Sequence, residues 1–218
     1  MNSFVELLVL AGIAVFLILR LRGVLGTREG FEKPVAREPQ EDRRKKPNLE
    51  IVRDGPDWDI NDHVAEGSDA AIALAAMKRV DPTFNVSEFL TGARGAYEMI
   101  LMAFEKGDLN EIKAFISDEV YEAFAFVVED RKAKGLTVDA TFIGVSDMAL
   151  VDAEFDDASK EAEISVRFKS EMTSVVRDIG GDIVEGSDKE IKRQKDTWTF
   201  SHHMDAGDPN WKLVATGE

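Results

Sequence analysis

The sequence predicts an α+β domain held behind a hydrophobic N-terminal helix. Three observations carry that expectation. Apolar residues recur with a helical period before Gly135 and with the alternating period of a strand after it. Turn-forming clusters separate the later apolar runs. Residues 4–25 form an almost continuous apolar segment. The chain is expected to divide into a transmembrane anchor at 4–25, a charged, proline-containing tether at 26–61, and a domain at 62–218. In that domain about four helices pack on one face of an antiparallel sheet.

As a helix, residues 4–25 would measure about 33 Å, against a hydrocarbon core of about 30 Å. Leu7, Leu10, Ile13, Phe16 and Leu19 surround the axis instead of forming the single stripe of an interfacial helix. A cleaved signal peptide carries positive charge before its apolar run; here Glu6 precedes the run, and Arg20 and Arg22 follow it at headgroup depth. The competing reading is a hydrophobic helix docked on the domain. Arg20, Arg22, Arg28 and Lys33 all follow the span and no Lys or Arg precedes it, so the positive-inside bias predicts a single-pass protein with its C-terminal domain in the cytoplasm or matrix. The next segment holds Pro34, Pro39, Pro47 and Pro56, four of the chain's six prolines, among mixed charges, as expected of a flexible tether. Its run Arg43-Arg44-Lys45-Lys46 suits anionic headgroups or a solvated face beside Glu41 and Asp42, and it lacks the aromatic partner of a nucleic-acid patch.

Four helices are expected. An Ala-rich stretch from Asp69 to Val80 gives the first. Val86, Phe89, Leu90, Ala93, Tyr97, Ile100, Leu101 and Phe104 give the strongest periodicity, with Asn85 as N-cap, Glu88 at the third position and Phe84 set to staple Phe89. Asp108 and Glu111 suggest a short helix through Leu109, Ile112 and Phe115. Ser117 starts the last, whose stop is Lys132, Lys134 and Gly135. Thereafter Ala162, Ile164, Val166 and Phe168 alternate with charged residues, and further strands are expected at 138–151, 172–177, 191–203 and 211–216. Turns are expected at 156–159, 180–182, 186–188 and 207–210.

The search for chemistry excludes more than it finds. The full chain carries −15. Residues 1–57 hold 10 Lys/Arg and 9 Asp/Glu, leaving 17 of 27 basic and 33 of 42 acidic residues for the rest, a net −16. Such a body repels nucleic acid and anionic lipid. Without cysteine there is no disulfide, thiol chemistry or Cys-based metal site. Nucleotide-binding glycine loops and a serine elbow are missing. His202 and His203 point to opposite faces of a strand and cannot share a metal, and His63 stands alone. Asp152, Glu154, Asp156 and Glu163 match calcium-loop positions, but the sixth position is Asp157 where glycine is needed. Glu129-Asp130 reads as surface charge. No catalytic, metal or cofactor site is expected.

A set of motifs does carry a resemblance. Phe89-Leu90-Thr91-Gly92-Ala93-Arg94, Tyr97-Glu98-Met99-Ile100 and Ala103-Phe104-Glu105-Lys106-Gly107-Asp108 open it; Ser117-Asp118-Glu119-Val120-Tyr121 with Phe124 and Val166-Arg167-Phe168-Lys169-Ser170 follow. Residues 178–186, Asp196-Thr197-Trp198-Thr199-Phe200 and Asp208-Pro209-Asn210-Trp211-Lys212-Leu213-Val214 complete it. In this order, over roughly 80–217, the blocks resemble the Tim forty-four-like domain family. The resemblance implies a cone-shaped α+β domain on a curved sheet, related to the nuclear-transport-factor-two-like fold, with a large apolar pocket. It implies no catalytic residues. Mitochondrial members join the inner-membrane translocon to its Hsp-seventy-type import motor, and another branch serves the mitochondrial ribosome. Here a span and a short tether stand where the mitochondrial anchor has a long basic chaperone-binding region, so the chain is similar to the short bacterial inner-membrane members.

On this reading the aromatics Phe89, Tyr97, Phe104, Phe124, Phe168, Trp198 and Phe200 either line the pocket or fill the core. The expected function is a non-enzymatic adaptor of the bacterial inner membrane that offers the domain to a protein partner or a lipid acyl chain. One alternative is an isomerase-like pocket enzyme, for which Asp147, Glu171, Asp196 and His202 are the ionisable candidates. Another is an assembly factor for respiratory or ribosomal complexes.

Overall fold

The computed structural model describes residues 57–217. The expected anchor at 4–25 and most of the expected tether lie outside the described residues, among which no helix is long and apolar enough to cross a membrane. Residues 58–61, placed by the sequence in the tether, form a helical turn, α1 (Trp58–Asn61), whose Ile60 is 3% exposed.

The three longer helices begin where their caps dictate. Ser68 Oγ accepts from Ala71 N at 3.2 Å to start α2 (Asp69–Val80). Asn85 Oδ1 accepts from Glu88 N at 2.8 Å to start α3 (Val86–Lys106), and the Phe84 and Phe89 rings meet at 6.4 Å as the staple requires. Ser117 Oγ accepts from Val120 N at 3.3 Å to start α4 (Asp118–Ala133). The short helix expected after Asp108 is a 3-10 turn, Asn110–Ile112, and Asp108 bonds Asn110 N at 3.3 Å without capping an α-helix. That segment must bury Ile112 and then extend, because Ile116 bridges Leu213, with Ser117 N donating to Leu213 O and Leu213 N to Phe115 O at 2.8 Å each.

Four antiparallel strands follow in the order β1-β2-β3-β4: β1 (Thr137–Asp156), β2 (Glu161–Arg177), β3 (Ile183–His203) and β4 (Lys212–Gly217). The fold class is therefore α+β, with four α-helices and a four-stranded antiparallel sheet among the described residues. The segments expected at 162–169 and 172–177 are one strand. Ala162, Ile164, Val166 and Phe168 are each 0% exposed, the inward row that the alternation predicts. Asp156 and Asp178 organise the first two hairpin turns, accepting from Ala158 N at 2.9 Å and from Gly180 N at 2.9 Å respectively.

The turn expected at Gly186-Ser187-Asp188 is not one; all three residues lie inside β3, which begins eight residues before the expected strand at 191. The glycine has another use. At φ 76° its backbone passes so close to β2 that a Cβ would stand 2.1 Å from Ser174 O. Beside it Met172 pairs with Lys192 and Ser174 with Ser187, so Thr173 alone opposes residues 188–191 in a wide bulge. On β1 the register skips Ile143, Ser146 and Val151, three further bulges that bend the strand. The helices α2 and α3 pack on β1, and α4 meets β4. Their shared core includes Leu74 and Met77 of α2, Ile100 of α3 and Leu213 of β4, each 0% exposed.

Candidate functional site

Ring contacts connect the inner face of α3 to the sheet. Phe89 and Tyr97 lie about two turns apart on α3, on the same face. Tyr97 stacks on Phe168 of β2, with centroids 4.3 Å apart and planes at 14°, and leans against Trp198 of β3 at 4.6 Å. Phe89 meets Phe200 edge-on at 6.0 Å and Trp211 at 4.7 Å. All five of Phe89, Tyr97, Phe168, Trp198 and Phe200 are buried. Phe104 and Phe124 form a separate, half-buried pair at 4.6 Å between α3 and α4, with the Arg131 guanidinium 4.7 Å from the Phe104 ring. Arg131 also lies 3.8 Å from the Glu105 carboxylate, whose pKa is raised by burial in spite of that cation.

Within the ring array sits a polar knot. The Tyr97 hydroxyl donates to Asp196 Oδ2, shares a 2.8 Å hydrogen bond with Ser170 Oγ and accepts from Gln194 Nε2 at 3.2 Å, while Gln194 also donates to Asp196 at 3.2 Å. A phenol has one proton, so with Asp196 receiving it Ser170 must be the donor in its own bond. Register explains the meeting. Phe168 pairs with Asp196 and Ser170 with Gln194, so all four side chains project from one face beneath Tyr97. Burial, reinforced by the bond to Asp196, pushes the Tyr97 pKa up to about 12. The hydroxyl is therefore neutral at physiological pH and fastens α3 to the sheet through these bonds. Sequence reasoning passed over Ser170 and Gln194, although polar residues at inward positions of alternating strands are the signal that finds them.

The other ionisable candidates lie elsewhere. Asp147 pairs with Lys169 at 2.8 Å and Glu171 with Arg193 at 2.8 Å. His202 Nδ1 is 3.1 Å from Asn210 O, with its ring against Trp211, and His203 Nδ1 is 3.4 Å from Ser159 O. His63 bonds Ser87 Oγ at 3.1 Å. Among the described residues no three His, Asp or Glu side chains converge as a metal-binding group. Of the calcium-loop residues, Asp156 binds its own turn through Ala158 N and Ser159 Oγ.

A cleft of about 430 Å³ opens between α3 and the bulged start of β1, lined by Thr91, Arg94, Gly95 and Glu98 and by residues 142–145. None of the seven expected aromatics lines it; its nearest link to them is Phe142, 6.2 Å from the Tyr97 ring. Arg94 Nη2 reaches across to donate to Val145 O, tying helix to strand. A second tie lies at the N-terminal end of α3. Asp59, a residue assigned by sequence to the tether, accepts from Val86 N at 2.8 Å, Ser87 N at 3.0 Å and Ser87 Oγ at 2.9 Å, and pairs with Lys78 Nζ at 2.7 Å. Burial opposes its ionisation, yet Lys78 and these donors bring its pKa down to about 2.

The family model of the Tim44-like domain matches residues 70–218, from α2 through β4. The chain belongs to the Tim44-like domain family. Within that domain lie the ring array, the polar knot and the cleft; α1 and Asp59 precede it. Human mitochondrial import inner membrane translocase subunit TIM44 is 24% identical over 144 residues, covering 65% of this chain and 31% of the human protein. Subunit TIM44-1 of Arabidopsis thaliana is 23% identical over 194 residues, covering 84% of this chain and 40% of its own. The chain thus aligns with well under half the length of these curated relatives. Among solved structures, the intermembrane space region of chloroplast protein ARC6 superposes with a TM-score of 0.38 at 12% identity, covering 66% of this chain and 94% of that one.

Proposed function

We propose that the chain is a non-enzymatic membrane adaptor, in which residues 4–25 cross the bacterial inner membrane once and the Tim44-like domain is held at the cytoplasmic face. There it engages a protein partner or an acyl chain, in protein translocation or the assembly of a membrane complex. The observation that carries this reading is the Tim44-like match over 70–218, joined to relatives that are subunits of a mitochondrial inner-membrane translocase. The bulges that bend β1 support a cone-shaped, nuclear-transport-factor-two-like sheet.

The test is crosslinking in intact native membranes followed by mass spectrometry. Subunits of a translocon or another membrane complex should be recovered with the full chain and lost when residues 1–26 are deleted. Recovery of the same partners without those residues, or of none above a mock sample, contradicts the reading. Respiratory or ribosomal subunits among the partners would favour the assembly-factor variant. A second reading, a pocket enzyme, is favoured by one observation only: of four ionisable candidates, Asp196 alone bonds into the aromatic array. An Asp196→Asn variant, close in shape and still hydrogen-bonding, separates the two, since an adaptor keeps its partners and a general-base enzyme loses its turnover.

A further inference from the structure

One side of the sheet ends on a bare length of strand. Among the described residues β4 pairs only with residues 197–201 of β3, so residues 183–196 have β2 on one side and no described strand on the other. Among the described residues no backbone hydrogen bond from outside the sheet reaches this edge, although α3 meets the inner face of the strand where Tyr97 bonds Gln194 and Asp196. Ile183, Val184 and Ile191 stand 52% exposed there. Soluble proteins blunt such an edge by shortness, proline, lysines, bulges or a covering element, and this one carries the lysines and a bulge. This strand is 21 residues long and contains no proline.

Its charges are sorted. Residues 182–188 carry Asp182, Glu185 and Asp188 and no Lys or Arg, a net −3; residues 189–195 carry Lys189, Lys192, Arg193 and Lys195 against Glu190, a net +3. Little of this is spent within the chain. Arg193 donates to Glu171, and Lys192 lies within electrostatic reach of Glu105, while Lys189 and Lys195 make no ion pair among the described residues. An antiparallel self-pairing sets each acidic half beside the basic half of the other copy, and opposite charges across a strand pair attract. A parallel pairing would set like beside like. Elsewhere two such acidic bodies repel, so this edge is where the sign of the interaction reverses.

We propose that residues 183–196 of β3 pair antiparallel with the same edge of a second copy, joining two four-stranded sheets across a two-fold axis near residues 188–191. The bulge then lies on the axis, between two short ladders in which 183–187 of each copy run beside 192–196 of the other. The absence of cysteine makes the test direct, because an introduced thiol is unique. In the full chain, solubilised in detergent, Ser187→Cys treated with a short bismaleimide should give a species of twice the 24.2 kDa chain. Ala158→Cys, in the turn at the other end of the sheet, should stay single and so controls for crowding by the anchors.

Charge reversal supplies the second arm, read as crosslinking of the same Ser187→Cys. Asp182→Lys, Glu185→Lys and Asp188→Lys together, or Lys192→Glu, Arg193→Glu and Lys195→Glu together, should each lower it about tenfold, and mixing the two variants should restore it. A single species from Ser187→Cys, a crosslink to a polypeptide of different mass, or no recovery from mixing two variants with native circular dichroism would overturn the proposal.

Discussion

Tyr97 shows how much one side chain settles in this domain. Its ring completes the contact between α3 and the sheet, and its hydroxyl answers Asp196, Ser170 and Gln194 at once. Tyr97→Phe keeps the stacking and strands those three groups, so unfolding by urea should show a loss of about 1–3 kcal/mol. The pH dependence has a definite sign. An unfolded tyrosine ionises near 10.0 and the folded one at about 12, so this contribution is complete below pH 10 and declines as pH rises through 10 to 12. The difference in stability between the native chain and Tyr97→Phe should shrink over that window and stay flat from pH 6 to 9. Asp59 works at the opposite end of the scale. Its pKa falls from 3.8 unfolded to about 2 folded, so its contribution is complete above pH 4 and lost as the pH drops toward 2. Acid titration of the unfolding midpoint should fall less steeply in Asp59→Asn, and an equal slope would remove Asp59 as the fastener of α1, α2 and α3.

At the scale of elements, the caps and the periodicities were legible because they are local. Ser117 and Asn85 bond the amides that their positions demand, and the alternation in 162–168 marks the buried row without any knowledge of its partner strand. What failed was long-range. Gly186-Ser187-Asp188 has turn composition, and only the close approach of Ser174 on β2 shows the glycine to be a strand residue, paired with Val175 beside the bulge. The 58–61 turn lacks a long apolar period of its own; Ile60 and Asp59 acquire their meaning from α2 and α3. The knot was half visible: Tyr97 and Asp196 were singled out separately, and the register that joins them lies in the pairing of β2 with β3. Gly186→Ala tests that close approach directly. Positive φ costs a β-carbon about 1–2 kcal/mol, and the clash with Ser174 O adds to it. Hydrogen exchange at Val175 and Val176 should accelerate while α2 and α3 keep their protection, and unchanged exchange there would mean that the two strands can part enough to admit a side chain.

At the scale of the whole molecule, the parts divide their labour by solvent. The body carries a net −16, which opposes its approach to anionic lipid, and a packed aromatic interior, whereas in the proposed reading residues 4–25 supply the apolar length to cross the bilayer. Membership in the Tim44-like family says what kind of domain the chain carries, and the proposed anchor would say where it is displayed. That division is the central claim, and alkaline carbonate extraction of membranes carrying the intact chain tests it most directly. The chain should remain in the pellet, and a form lacking residues 1–26 should pass wholly to the supernatant. Release of the intact chain by carbonate, or retention of the shortened one, would contradict the account.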